Sequence, residues 1–167
     1  QTSGDCSTPL SLVCGVPFTG NTTASANNYS TYSCNSNTYS GNENVHELTL
    51  TDTTDIDVSL TNINGKDLNL ILLSSCDTTA CIQAADTLLL ANSLLPGTYY
   101  IVVDGADTND FGAYTLNLNC TPSSNPNGCD DLFFSEYIEG NNQDKALEIY
   151  NPTDSTISLA NYTVEFY

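Results

Sequence analysis

The sequence predicts an all-β protein: one whole disulfide-stapled β-sandwich or jelly roll, followed by the opening strands of a second β domain. Three observations carry this. Short segments alternate apolar and polar residues, with turn dipeptides between them at a spacing of roughly ten residues, as in sandwiches and jelly rolls. Helix formers are scarce: Met is absent and Lys and Arg together number two. β-Branched and aromatic residues, with Gly, Asn and Asp between them, favour strands and turns. Seven cysteines without a CxxC…CxxC zinc pattern point to disulfides formed in an oxidising compartment.

The elements follow in order. Leu10–Val16 and Glu43–Leu50 read as strands. Ile56, Val58 and Leu60 alternate with Asp55, Asp57 and Ser59, and Leu68, Leu70 and Leu72 with Asp67, Asn69 and Ile71. Tyr114, Leu116 and Leu118 alternate with Ala113, Thr115 and Asn117. Each is the pattern of a half-buried strand. Thr98–Val103 is apolar on both faces and reads as a central strand, and Ala80–Leu90 has room for a helical turn. Turns are marked by Asn64-Gly65, Pro96-Gly97 and Asp104-Gly105. The stretch TPSSNPNG, Thr121–Gly128, has linker composition. It divides the chain into a sandwich at residues 1–121, a linker at 122–128 and a second domain at 129–167. In the last piece Leu132–Ile138, Lys145–Tyr150 and Tyr162–Tyr167 read as strands. They are too few for an independent sandwich, so the domain is expected to be completed by further sequence or by another chain.

Twenty acids face two bases, Lys66 and Lys145, for a net charge of −18, with no Arg. Such a surface repels phosphate backbones and anionic membranes, which argues against nucleic-acid binding, and it attracts divalent cations. No apolar run approaches membrane length. A chain starting at Gln1 is expected to be a processed, secreted form with its signal peptide removed.

Among the cysteines, Cys76 and Cys81 flank the short loop CDTTAC, where a local bridge is sterically easy. Cys6 with Cys120 would clasp the first domain, leaving Cys14 with Cys34. Four cysteines permit three pairings, and sequence does not choose among them. Cys129 is the odd one, expected to find a partner beyond Tyr167 or in a neighbour.

The residues carry little sign of catalysis. His46, the single His, stands in a strand beside Glu47, and strand neighbours point to opposite faces. G-x-S-x-G, H-E-x-x-H, P-loop and G-x-G-x-x-G signatures are absent. The chain is therefore read as non-enzymatic. Calcium is the better chemical hypothesis. Asp104, Asp107, Asn109 and Asp110 form an oxygen-rich loop after a central strand, suited to a hard cation of six to eight oxygens. Asp52, Asp55 and Asp57 form a second acidic cluster, read mainly as solvent-facing. Tyr29, Tyr32 and Tyr39 lie in an Asn/Ser-rich loop, either packing over the sandwich or stacking on sugars.

The run from LSLVCG (Leu10–Gly15) through YSC (Tyr32–Cys34), GNENVHELTL (Gly41–Leu50), DLNLILLSSC (Asp67–Cys76), LLPGTYYIVVDG (Leu94–Gly105) and FGAYTLNLNC (Phe111–Cys120) resembles the bacterial pre-peptidase C-terminal domain family. The resemblance implies a β-sandwich accessory to secreted hydrolases or adhesins, some members binding calcium or polymeric substrate. LFFSEYIEG and KALEIYNPT, within Asp131–Tyr167, resemble the start of the lamin-tail-like domain of secreted Bacteroidetes proteins. That implies an immunoglobulin-like second domain and type IX secretion. Four sites resemble the Bacteroidetes O-glycosylation pattern, with acceptors Thr53, Thr78, Thr87 and Ser155. The functional expectation is a non-catalytic module of a secreted or cell-surface bacterial protein, acting in adhesion or extracellular assembly. Its partner would be an extracellular protein, a glycan or further copies of itself. The alternative is the accessory substrate-binding region of a secreted nuclease or peptidase whose catalytic domain lies elsewhere.

Overall fold

In the computed structural model of the chain, residues 5–123, 132–141, 145–153 and 156–164 are described. The chain divides into two compact units, Gln1–Ser123 and Ser124–Tyr167. The first is a sandwich of two sheets. The five-stranded sheet has the order β1 (Leu10–Ser11), β3 (Asn44–Leu50), β8 (Gly97–Gly105), β5 (Leu68–Leu73), β6 (Cys81–Ala85). The four-stranded sheet has the order β2 (Phe18–Asn21), β9 (Ala113–Pro122), β4 (Thr54–Thr61), β7 (Leu88–Leu94). Among the described residues of the sandwich only β1 with β3 is a parallel pair; the other ladders are antiparallel.

Period-two alternation decides what lies between the sheets. Leu48 and Leu50 of β3, Leu68, Leu70 and Leu72 of β5, and Ile101 and Val103 of β8 meet Ile56, Val58 and Leu60 of β4 and Tyr114, Leu116 and Leu118 of β9 in one buried cluster. Each buried Leu, Ile or Val stabilises the fold by about 1.5–3 kcal/mol relative to exposure.

The opposite face of the five-stranded sheet is buried too. Val45, Ile71, Leu73 and Val102 point out of that face and form a second cluster with Tyr32 and Tyr39. Those tyrosines come from the Asn/Ser-rich segment between β2 and β3, whose only pairing is the bridge between Thr31 and Thr38. The unit therefore has three layers: sheet, sheet and a covering loop. This is why LNLILL in β5 is apolar on both faces, as a doubly buried strand must be.

Several expected elements differ. Leu10–Val16 yields only the two-residue β1; the Leu12 N–H makes the last bond to β3, and a turn closed by Val16 N–H on the Val13 carbonyl follows, with Gly15 at a φ of +76°. The helical turn expected within Ala80–Leu90 is not formed there: that stretch is taken by β6 and the start of β7, and a single 3-10 turn, capped by the Asp77 side chain, precedes them at Thr78–Ala80. In the second unit β10 (Phe133–Glu139) and β11 (Lys145–Tyr150) form an antiparallel pair. The strand expected at Tyr162–Tyr167 is not formed over residues 162–164, which follow a 3-10 turn at Leu159–Asn161. Residues 165–167, Cys129 and linker residues 124–128 lie outside the described residues.

The disulfides join Cys6 to Cys76, Cys14 to Cys120 and Cys34 to Cys81. None of the expected pairs, Cys76–Cys81, Cys6–Cys120 or Cys14–Cys34, forms. The covering loop is the physical reason. Ser33 donates from its backbone N–H to the Thr78 carbonyl at 3.0 Å and from its hydroxyl to the Thr79 carbonyl at 2.9 Å, which brings Cys34 down onto Cys81. Cys76 is then available to Cys6. Gly15 donates to the Leu118 carbonyl at 2.8 Å, laying Cys14 beside the end of β9. The Cys14–Cys120 bridge spans 106 residues and removes the most freedom from the unfolded chain. Replacing both cysteines by Ser should lower unfolding free energy by about 2–5 kcal/mol in urea titration. A non-reducing peptide map should recover the three pairs named here.

Candidate functional site

Two buried acids lie beneath the covering loop. Asp104 continues β8 past Val102 on the same outward face, and the loop closes over it. It is fully buried. The Tyr32 hydroxyl donates to Asp104 Oδ2 at 2.7 Å, while Oδ1 is buried without a hydrogen-bond partner. Glu43, two residues before Val45, turns to the same side. Its Oε1 accepts the Asn28 backbone N–H at 2.8 Å, and its Oε2 is also buried without a partner. Burial pushes the Asp104 carboxyl up to about 7; the Tyr32 hydrogen bond opposes this and the charge of Glu43 adds to it. Burial likewise raises Glu43, against the hydrogen bond from Asn28. Burial and then the charge of Asp104 push the Tyr32 phenol up, so it stays a donor.

His46 anchors a second polar network, inside the sandwich. Its Nδ1 lies 3.0 Å from the Ile101 carbonyl, which can only accept, so Nδ1 carries the proton. Nε2 then accepts from the Tyr114 hydroxyl at 2.9 Å. That hydroxyl accepts from Asn44 Nδ2 at 2.9 Å, and Asn44 Oδ1 accepts from Ser25 at 2.7 Å. Gly20 makes room for this: a Cβ there would run into the Tyr114 ring. Burial holds the imidazole down to about 4, the Ile101 bond opposing it. Both ring nitrogens are engaged and the ring is fully buried, so His46 is a structural residue rather than a poised base.

The expected calcium loop does not gather its four residues. Strand alternation turns Asp104 to the outer face of β8, under the covering loop and against Tyr32. Asp110 accepts the backbone N–H groups of Asp67 and Asp107, each at 3.2 Å. Lys66 Nζ donates to the Asn109 carbonyl at 2.6 Å and lies 5.4 Å from the centre of the Phe111 ring. The loop is thus closed by its own carboxylate and by a lysine cation. Among the described residues no three His, Cys, Asp or Glu side chains are grouped to hold a metal. Glu43 and Asp104 alone fall short of the six to eight oxygens that calcium takes.

Of the second acidic cluster, Asp55 accepts the backbone N–H of Ser93 at 2.7 Å, where the chain bends at a φ of +55°. Asp52 is exposed and accepts the Thr51 hydroxyl at 2.8 Å, and Asp57 faces solvent. Tyr32 and Tyr39 are 2 % and 3 % exposed, so they pack over the sheet and offer no stacking platform. Thr53, Thr78 and Thr87 sit partly exposed outside the strands, and Ser155 lies outside the described residues. The Glu43–Asp104 site was missed by sequence reading. Its trace is an acid extending the apolar alternation of IVVDG on a strand buried on both faces.

No family model and no curated protein matches the chain. In structure it is similar to the pre-peptidase C-terminal domain of collagenase from Bacillus anthracis, with TM-score 0.49 and 17 % identity over 66 % of this chain and 94 % of that one. It is also similar to PliG of Aeromonas hydrophila, a periplasmic inhibitor of g-type lysozyme, with TM-score 0.49 and 9 % identity over 68 % of this chain and 96 % of that one.

Asp104 and His46 pull stability in opposite directions with pH. Asp104 titrates at 3.8 ordinarily and at about 7 when folded. Between those values the folded state holds a proton that the unfolded chain has lost, so stability falls as pH rises. Glu43, also raised, acts in the same sense. His46 titrates at 6.5 ordinarily and at about 4 when folded, so its contribution falls as pH drops through that window. The native protein should show a shallow profile where the two overlap. Asp104→Asn should remove much of the opposing trend, and its urea midpoint should climb more steeply with pH from about 4 to 6.5. A native profile that already climbs as steeply as that of the variant would contradict a neutral, buried Asp104.

Proposed function

We propose that this chain is a non-catalytic module of a secreted or cell-surface bacterial protein, acting in adhesion or extracellular assembly. The observation that carries this reading is the β10–β11 pair. Among the described residues its strands pair only with each other. Phe134, Tyr137, Ile138 and Tyr150 are each more than half exposed. Leu132, Phe134, Leu159, Tyr162 and Val164 help line an apolar cleft of about 180 Å³ in the same unit. A two-stranded sheet is marginal by itself in water, and an open edge accepts another strand through main-chain hydrogen bonds. Strands from a continuing chain or a neighbouring molecule would cover those aromatics, which makes strand addition the assembly route.

The first unit supports the reading as a durable scaffold. Three disulfides suit an oxidising compartment outside the cytoplasm. No helix among the described residues is long and apolar enough to cross a membrane. Asp104, Glu43 and His46 are interior and closed off from solvent. The bacterial setting, type IX export and the lamin-tail-like character of residues 129–167 enter this proposal through the sequence resemblance. Thr53, Thr78, Thr87 and Ser155 are its acceptors for O-linked glycans.

Electron microscopy of protein purified from its source, with intact mass on the same sample, tests the proposal. Filaments or ordered arrays are expected. A monodisperse particle whose chain carries a catalytic domain would overturn it, and a mass equal to the bare polypeptide would remove the glycans.

A further inference from the structure

The outer face of the four-stranded sheet carries a cleft that neither the fold nor the buried networks use. Alternation sends Asp57 and Ser59 of β4, Asn117 and Asn119 of β9, and Leu88 and Leu90 of β7 away from the core. The register sets them in two rows across the sheet. Leu90, Asp57 and Asn119 are direct neighbours in one, and Leu88, Ser59 and Asn117 in the other. Gly15 and Pro17, from the connection between β1 and β2, wall the far side, and the cleft measures about 260 Å³. The wall is anchored by the Gly15 bond to the Leu118 carbonyl and by the Cys14–Cys120 bridge.

The chemistry of the floor narrows the ligand. The side chains of Asp57 and Asn119 are exposed and make no hydrogen bond to the described protein, although they stand opposite one another. Asn117 donates to Ser59 and Thr61 at 3.5 and 3.3 Å, which holds its amide in place and leaves its oxygen free to accept. Leu88 and Leu90, on the adjoining strand and next to the cleft rather than in its lining, are 53 % and 52 % exposed. A carboxylate accepts from two adjacent hydroxyls at once, and a primary amide donates and accepts side by side. The first unit's lysine, Lys66, bonds the Asn109 carbonyl instead. With a net charge of −18 the cleft disfavours phosphate, sulfate and uronate groups. The lining also lacks the aromatic and Arg anchors on which protein interfaces concentrate their energy.

We propose that this cleft binds a neutral, hydroxyl-rich glycan. Asp57 accepts from vicinal hydroxyls, Asn119 bonds the neighbouring oxygen, and the two leucines cover a C–H face of the sugar. The proposal deepens the adhesion reading and rests on it for biological context.

Calorimetric titration of the full chain with neutral hexasaccharides of glucose, mannose and N-acetylglucosamine tests it, with sulfated oligosaccharides as the charged comparison. At least one neutral sugar should bind and the sulfated ones should not. Asp57→Ala and Asn119→Ala should each weaken that binding by about tenfold or more. Both residues are exposed, so melting temperature should stay unchanged. Absence of binding by every neutral sugar, or binding unaffected by the double variant, overturns the proposal. So does tighter binding of sulfated sugars. Filaments by microscopy with no sugar binding would sink the glycan cleft and leave the assembly reading standing. Sugar binding lost in the variants, by a monodisperse particle bearing a catalytic domain, would do the reverse.

Discussion

A β-sheet that is dry on one face needs only a partner sheet. The five-stranded sheet here is dry on both, and its outer face is closed by the segment between β2 and β3, which has almost no secondary structure of its own. Such a segment brings few apolar groups, so it depends on large ones and on covalent help. Tyr32 and Tyr39, with ring centres 5.4 Å apart in an edge-to-face contact, supply the first. Cys6–Cys76 and Cys34–Cys81, whose sulfurs border the same cluster, supply the second. The positions of the buried acids, the route of the loop and two of the three disulfides all follow from the need to cover that face.

Covering it also traps polar groups, and the two networks resolve this differently. The His46 network is closed: a ring, a phenol, an amide and a hydroxyl each find partners, and the neutral tautomer is fixed by the Ile101 carbonyl. The Glu43–Asp104 network is open at two oxygens, and burial answers by keeping Asp104 protonated until near neutrality. Gly105 fixes the geometry at this point, because a Cβ there would strike the Asp110 carbonyl and hold the acidic loop off the strand.

Strands with clean alternation, such as Ile56–Leu60 and Tyr114–Leu118, were legible because one face meets the core and the other meets water. The doubly buried strands were legible as apolar runs, but what covered their second face was not, since the cover is a polar-looking loop. That hidden layer accounts for most of the misread chemistry. It buries the tyrosines that resemble a sugar platform, takes Asp104 out of the acidic loop, and brings Cys34 to a partner that is distant in sequence. The short β2, β6 and β7 lacked a distinctive period. In β7 the exposed face is leucine, so apolar residues fall on both sides. The two rows on the outer face are invisible without register, because Asp57, Asn119 and Leu90 lie far apart in the chain.

The Cys14–Cys120 bridge has a mechanical consequence. Tension applied to the first unit at residues 5 and 123 has a short covalent route: along residues 6–14, across the sulfur–sulfur bond, and out through 120. On that route Leu10 and Ser11 pair with β3 and Cys6 is bonded to Cys76, so part of the load also enters the five-stranded sheet. Beyond Cys14 the load crosses a sulfur–sulfur bond, so the four-stranded sheet is not pulled apart along β9. The two ends of the first unit are in this way joined by a short covalent link.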